Sequence, residues 1–344
     1  MKRLFSMCVA AVLCFLFISI VQADDQIKLL SENRTVSGNI TNITKDVITV
    51  NRGGMESLYK VGDIDSISYE SEPVQLKAAL KALAEGQNET ARAGLQTIPD
   101  DVSRKEILVE RDFLIAQANM RIAFQRGDVS LVQAIAGLEK FNKTHPSSYR
   151  HYEAVQMLGE LYLETNKPRE ANTAFTELTK VADAPNIQAR GSLGRGRLLL
   201  TRGKQGVAEA ENMYKSVQKL LDNGEIKVDA KGIQMNVTLG LARCAALNGK
   251  FDEAEKRAQS VIDQVSPEDV YINALAYNTL GESLAAGDKK KDAIVAYLHT
   301  HLLYNADPVL HMEAMTKLIP LLRDAGSGAR ADELAAELES RYKK

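Results

Sequence analysis

Apolar positions follow two different periods along the 344-residue chain, and the change comes at Pro73. Before it, the runs IKLL, TVSGNITNIT, DVITVN, SLYKV and IDSISYE are rich in Val, Ile, Thr and Tyr and are separated by the turn clusters SEN, NRGG and VGD. Pairs such as Ile48/Val50 and Ile67/Tyr69 place apolar side chains two apart, the period of a strand with one packed and one wet face. Five short strands within residues 24–72 predict a small all-β barrel, because an open sheet of that size exposes both edges. From residue 73 to the end the β-branched clusters disappear and the apolar residues recur at helical spacing.

The helical part repeats itself. NGKFDEAEKRAQSVI (248–262) lies over AGDKKKDAIVAYLHT (286–300), and Leu-Gly recurs at Leu158-Gly159, Leu193-Gly194 and Leu280-Gly281. A small residue at the start of each second helix gives the markers Ala91, Ala134, Ala171, Ala210, Ala254, Ala293 and Ala331, spaced by 37 to 44 residues. Such a period predicts about seven helix–turn–helix units over 73–344, each burying its outer face on the next.

These residues resemble the tetratricopeptide repeat family. Its unit carries Leu-Gly and then Tyr in the first helix, Ala and a large residue in the second, and Pro near the end. The match is best at Leu158, Gly159, Tyr162, Ala171, Phe175 and Pro185, and next best at Tyr277, Leu280, Gly281, Ala293, Tyr297 and Pro308. Leu241, Ala242, Ala254, Val261 and Pro267 give a third. The resemblance implies a mainly α, tetratricopeptide-like helical solenoid, with helices or loops longer than the family's 34-residue unit. The strand layout of 24–72 is similar to Sm-like and SH3-like small barrels.

Small residues in good helices call for a reason, since Gly costs about 1 kcal/mol relative to Ala. Close crossing of the two helices in a hairpin supplies one, with Gly281 and Ala293 at the crossing and Leu280, Leu284 and Tyr297 around it. Pro320 within MTKLIPLLRDAG predicts a kinked last unit.

The N-terminus departs from this globular pattern. Lys2 and Arg3, an apolar run to Val21 and the Ala23 cleavage-like site predict a cleaved signal peptide over 1–23, hence an exported, periplasmic or envelope protein, with a bacterial host favoured. A retained anchor is the other reading. Removing Lys2 and Arg3 takes the formal charge from −2 to −4. Cys8 and Cys14 leave with the signal, so Cys244 stays alone and no disulfide framework is expected. Its small apolar neighbours suit a buried, inert thiol.

Charge also bears on partners. Segment 24–72 holds nine acids and five bases, against the balance that phosphate binding needs, so no nucleic acid is expected. No cofactor motif is present: the glycines of RGSLGRGRLLLTRGK (190–204) match neither a P-loop nor a dinucleotide fingerprint. That segment's Arg190, Arg195, Arg197, Arg202 and Lys204 could form an anion patch or keep a surface wet. His299 and His301 are two apart on a helix and point away from each other, unlike the i, i+4 pairs of helical zinc sites. N-glycosylation motifs at Asn33, Asn39, Asn42, Asn88, Asn142 and Asn236 matter only in a eukaryotic host.

In the family the first helices line a concave groove that takes peptides. Positions flanking the small-residue marker then give Arg121, Glu160, Arg195, Arg243 and Glu282 as exposed candidates, with Gln117, Gln156 and Asn278 one turn earlier. The sequence reading is a non-catalytic scaffold holding a protein or peptide on this mixed-charge ladder. An enzyme with a pocket between the β segment and the solenoid is the alternative.

Overall fold

The computed structural model describes residues 24–30, 34–125 and 128–342. Residues 1–23, where a signal peptide is expected, and Asn33 lie outside them. Five strands come first: β1 (Asp25–Leu29), β2 (Arg34–Ile43), β3 (Val47–Arg52), β4 (Met55–Lys60) and β5 (Ile64–Ser68). All pairings are antiparallel, in the order β4-β3-β2-β1-β5. The ladder has β4 and β5 as its two ends, so the expected closed barrel is a five-stranded antiparallel sheet. A shift of register between Ile40 and Asn42 lets the long β2 pair with β1 along its first part and β3 along its second. One face is dry: Ile27, Leu29, Val36, Ile48, Val50, Ile64 and Ile67 are buried.

Among the described residues fourteen α-helices follow in seven hairpins. They are α1 (Val74–Ala84) with α2 (Asn88–Gln96), α3 (Lys105–Phe124) with α4 (Leu131–Thr144), and α5 (His151–Glu164) with α6 (Pro168–Thr179). Next come α7 (Pro185–Leu200) with α8 (Val207–Asp222), and α9 (Ala230–Leu247) with α10 (Phe251–Ile262). The last are α11 (Val270–Ala286) with α12 (Lys290–Leu302), and α13 (Pro308–Asp324) with α14 (Gly328–Tyr342). The tight turns are built alike: Lys167, Lys250, Lys289 and Ser327 each donate a backbone N–H to the carbonyl five residues back. The residue before each of them is left-handed, as Asn166 and Asp288 as well as Gly249 and Gly326. α13 runs through Pro320, the residue expected to kink the last unit, to Asp324. No helix among the described residues is long and apolar enough to cross a membrane.

All seven marker alanines, from Ala91 to Ala331, have no exposed surface. The glycines opposite them admit rings. A Cβ on Gly281 would stand 2.8 Å from the ring of Tyr297, and one on Gly159 2.5 Å from that of Phe175. Phe175 is also pressed by Gly194 of the next hairpin, and Tyr214 lies between Gly196 and Gly240. The close approach at Gly281 is therefore to the Tyr297 ring one turn beyond Ala293, and the small residue makes room for aromatic burial.

Odd-numbered helices pack on one another along the array, α3 on α5, α5 on α7, α7 on α9, α9 on α11 and α11 on α13, which makes them the inner layer. The sheet covers the front. Its core is continuous with that of the first hairpins, from Ile27 to Leu161. Buried Asp25 accepts from the backbone N–H of Ile40 and Glu70, each at 2.9 Å, and from the Arg104 guanidinium at the start of α3. Tyr152 of α5 donates to Asp46 at 2.6 Å, and Asn186 of α7 donates to the Gly62 carbonyl at 3.3 Å.

Candidate functional site

The inner helices curve around a cleft of about 720 Å³, bordered by residues of α1, α3, α5, α7, α9, α11 and the start of α13. The three central ones contribute stripes at three- and four-residue spacing: Gln156, Glu160 and Leu163 from α5, Asn186, Arg190, Leu193 and Arg197 from α7, and Ile233, Asn236, Gly240 and Arg243 from α9. Apolar floor comes from Met120, Phe124, Leu239, Leu275 and Leu310. Tyr271 adds a ring that is 39% exposed.

Charge in the cleft is balanced, with Arg121, Arg190, Arg197 and Arg243 against Glu160, Glu164, Asp229 and Asp307. Arg121 donates to the Leu83 carbonyl at 2.8 Å, and Arg197 stands 3.5 Å from Glu160. Arg243 is held by Glu282 at 2.8 Å and by Glu313, which keep its guanidinium charged although burial opposes this. Desolvation within the cleft raises Glu164 above the ordinary carboxylate value although its side chain is exposed at the cleft wall, and neighbouring Glu313, Asp307 and Glu160 add to it while Arg197 pulls the other way. Asp307 is raised by burial too, although it caps α13 by accepting from the N–H groups of Val309 and Leu310. Arg190 is exposed and has no hydrogen-bond or ion-pair partner among the described residues.

Four of the eight residues singled out from sequence border this cleft: Arg121, Gln156, Glu160 and Arg243. The other four do not. Asn278, expected on the exposed ladder, is buried and donates to the Leu310 carbonyl at 2.9 Å, tying α11 to α13. Glu282 is a counter-charge for Arg243, and Gln117 donates to Glu153 at 3.4 Å. Arg195 lies off the cleft stripe, where Arg197 stands in its place. The reason is a two-residue slip of frame on α7. Gly159 and Gly281 each face the ring of their own hairpin partner, and the glycine of α7 that does so is Gly196, facing Tyr214, not Gly194. Counting back from the marker would have found it: Gly196 precedes Ala210 by 14 residues, close to the 12 that separate Gly159 from Ala171, whereas Gly194 precedes it by 16. The basic segment 190–204 forms no single patch, since Arg190 and Arg197 face the cleft while Arg202 and Lys204 are exposed on the turn after α7.

A second cavity, of about 60 Å³, lies between sheet and helices, with Val61, Gly62, Tyr152 and Ile187 on its walls.

No protein-family model and no curated protein matches the sequence. Solved structures do match. A tetratricopeptide repeat protein from Parabacteroides merdae ATCC 43184 is similar over 78% of this chain and 92% of its own, with 14% identity and a TM-score of 0.51. The fold is that of a tetratricopeptide-repeat solenoid. NprR, solved in complex with its cognate peptide NprX, is similar over 79% of this chain and 78% of its own at 15% identity, with a TM-score of 0.49. PilW, a type IV pilus biogenesis factor, covers 70% of this chain with 95% of its own at 16% identity and a TM-score of 0.42. In this solenoid the inner layer that the tetratricopeptide resemblance implies as a binding groove is the layer that borders the cleft.

Proposed function

We propose that the chain is a non-catalytic interaction scaffold that holds an extended peptide, or an extended segment of another protein, in the cleft. The carrying observation is the cleft itself: seven inner helices converge on one space of about 720 Å³ that offers both signs of charge, an exposed tyrosine and an apolar floor. An extended peptide presents side chains of alternating direction and backbone polar groups at regular intervals, which such a mixed lining matches. A folded enzyme pocket at the sheet–solenoid junction has less support, because the cavity there, about 60 Å³, has room for little beyond water. The basic, then apolar, then Val-Gln-Ala order of the first 23 residues supports work in the cell envelope. The acidic excess of 24–72 speaks against an RNA role for the sheet.

The test is selection of short displayed peptides on the full chain, followed by affinity measurement against Arg190→Glu. Arg190 makes no hydrogen bond or ion pair among the described residues, so its reversal should leave the fold intact while changing the charge of the cleft. Peptides selected through the cleft should lose at least ~tenfold in affinity, about 1.4 kcal/mol. Peptides that bind the variant as well as the parent would place recognition elsewhere and end the proposal.

A further inference from the structure

Among the described histidines only His311 is wholly buried, and the cleft makes no use of it. It sits near the start of α13, in the seam where α12, α13 and α14 meet. Its Nε2 is 2.8 Å from Nδ1 of His301 on α12, and its Nδ1 is 2.6 Å from the Tyr342 hydroxyl at the end of α14. Glu337 of α14 completes a group in which one ligand atom each of His301, His311 and Glu337 lies within 4.8 Å of the others. A leucine would fill the buried place at lower cost than an imidazole, whose two nitrogens must both be satisfied.

We propose that His301, His311 and Glu337 bind a divalent cation of the zinc class, with water as the fourth ligand. Two imidazole nitrogens and one carboxylate suit zinc and its transition-metal neighbours, whereas calcium and magnesium ask for oxygen alone. The Tyr342 contact is the outer contact such a site needs. With the Nδ1 proton donated to the tyrosine oxygen, Nε2 of His311 keeps its lone pair facing the other two ligands. Tetrahedral coordination at about 2.0–2.1 Å sets the two nitrogens about 3.3 Å apart, so binding requires His301 to withdraw by about half an ångström. His301 is only partly buried, and Glu337 is restrained by a loose 3.7 Å contact with Arg341, so both side chains can adjust.

The three ligands come from three helices, so the ion would staple the final hairpin to the one before it. Among the described residues that hairpin packs against one neighbouring hairpin, and an ion that binds the folded form alone stabilises it by mass action.

The experiment uses the full chain without an added histidine tag, stripped with EDTA and titrated with Zn²⁺ by calorimetry and with Co²⁺ by visible absorption. We expect one saturable equivalent that depends on His301, a tetrahedral-type Co²⁺ spectrum, and a higher melting temperature in Zn²⁺. His301→Ala should abolish this binding, and Glu337→Gln should weaken it at least ~tenfold. Tyr342→Phe, which removes no ligand, should weaken it by about 10–100-fold. Absence of a saturable equivalent in the parent overturns the proposal, as does unchanged affinity in His301→Ala. Should His301→Ala fail to fold without metal, Glu337→Gln decides in the same way, and unaltered binding there overturns the site.

Discussion

Glu164 is exposed at the wall of the cleft near three other carboxylates with Arg197 as its counter-charge, and desolvation there is the largest influence on it. A carboxyl whose folded pKa lies above its unfolded value holds its proton more tightly in the native state. Its ionisation therefore subtracts stability as pH rises from the usual carboxylate range through the raised value. Glu164→Gln should be more stable than the parent at neutral pH and should show a flatter stability profile on the acid side. Urea denaturation across that range checks this, and a variant less stable at neutral pH would mean that attraction to Arg197 outweighs desolvation. Cys244 behaves as its sequence surroundings foretold: it is 1% exposed and burial pushes its thiol up to about 12, so it stays protonated and packs as a small apolar group. Arg195 was less legible, because a helix turns 100° per residue and a two-residue slip of frame moves a side chain off its stripe.

At the scale of the hairpin, an aromatic ring on one helix and a glycine on its partner form one unit. Even a methyl group at Gly281 would enter the Tyr297 ring, so Gly281→Ala should destabilise by ~1–3 kcal/mol. Adding Tyr297→Leu should recover part of that loss, since the smaller side chain leaves the new methyl somewhere to go, and a double-mutant cycle in denaturant measures the coupling. Purely additive losses would show that the two residues do not share the space. Sequence revealed the marker alanines because their spacing is a one-dimensional property, and all seven are buried. The glycines were visible too, and Tyr297 is beside Gly281 as the spacing implies; what the spacing does not show is that its ring is the nearest neighbour. Gly281 marks a point of close helix approach with Ala293, and the atoms that a Cβ there would meet belong to the Tyr297 ring.

For the molecule as a whole, the sheet is joined to the array through buried polar contacts as well as shared apolar core. Asp25 gathers two strand N–H groups and Arg104, and Arg104 lies over the Tyr69 ring at 4.9 Å. Asp25→Ala leaves a partly buried guanidinium and two N–H groups without their acceptor, and should cost ~3–5 kcal/mol. Thermal unfolding read by near-ultraviolet dichroism checks this; a shift of less than a degree would show that the Asp25 network does not help to hold the sheet. The overall order of sheet and helices was legible from the change of period at Pro73. The cleft was only half legible, because which inner residues meet across it depends on how far the array curls, a sum of small rotations that no local pattern records. That curl brings Leu83 and Gly86 of the first hairpin and Asp307 to Leu310 of the last to the rim of one space. Helical arrays in general can be lengthened or shortened by whole units, since each unit meets only its neighbours. Here such freedom has a cost: adding or removing one hairpin would alter the span between those two rims, so the copy number sets the width of the space they enclose.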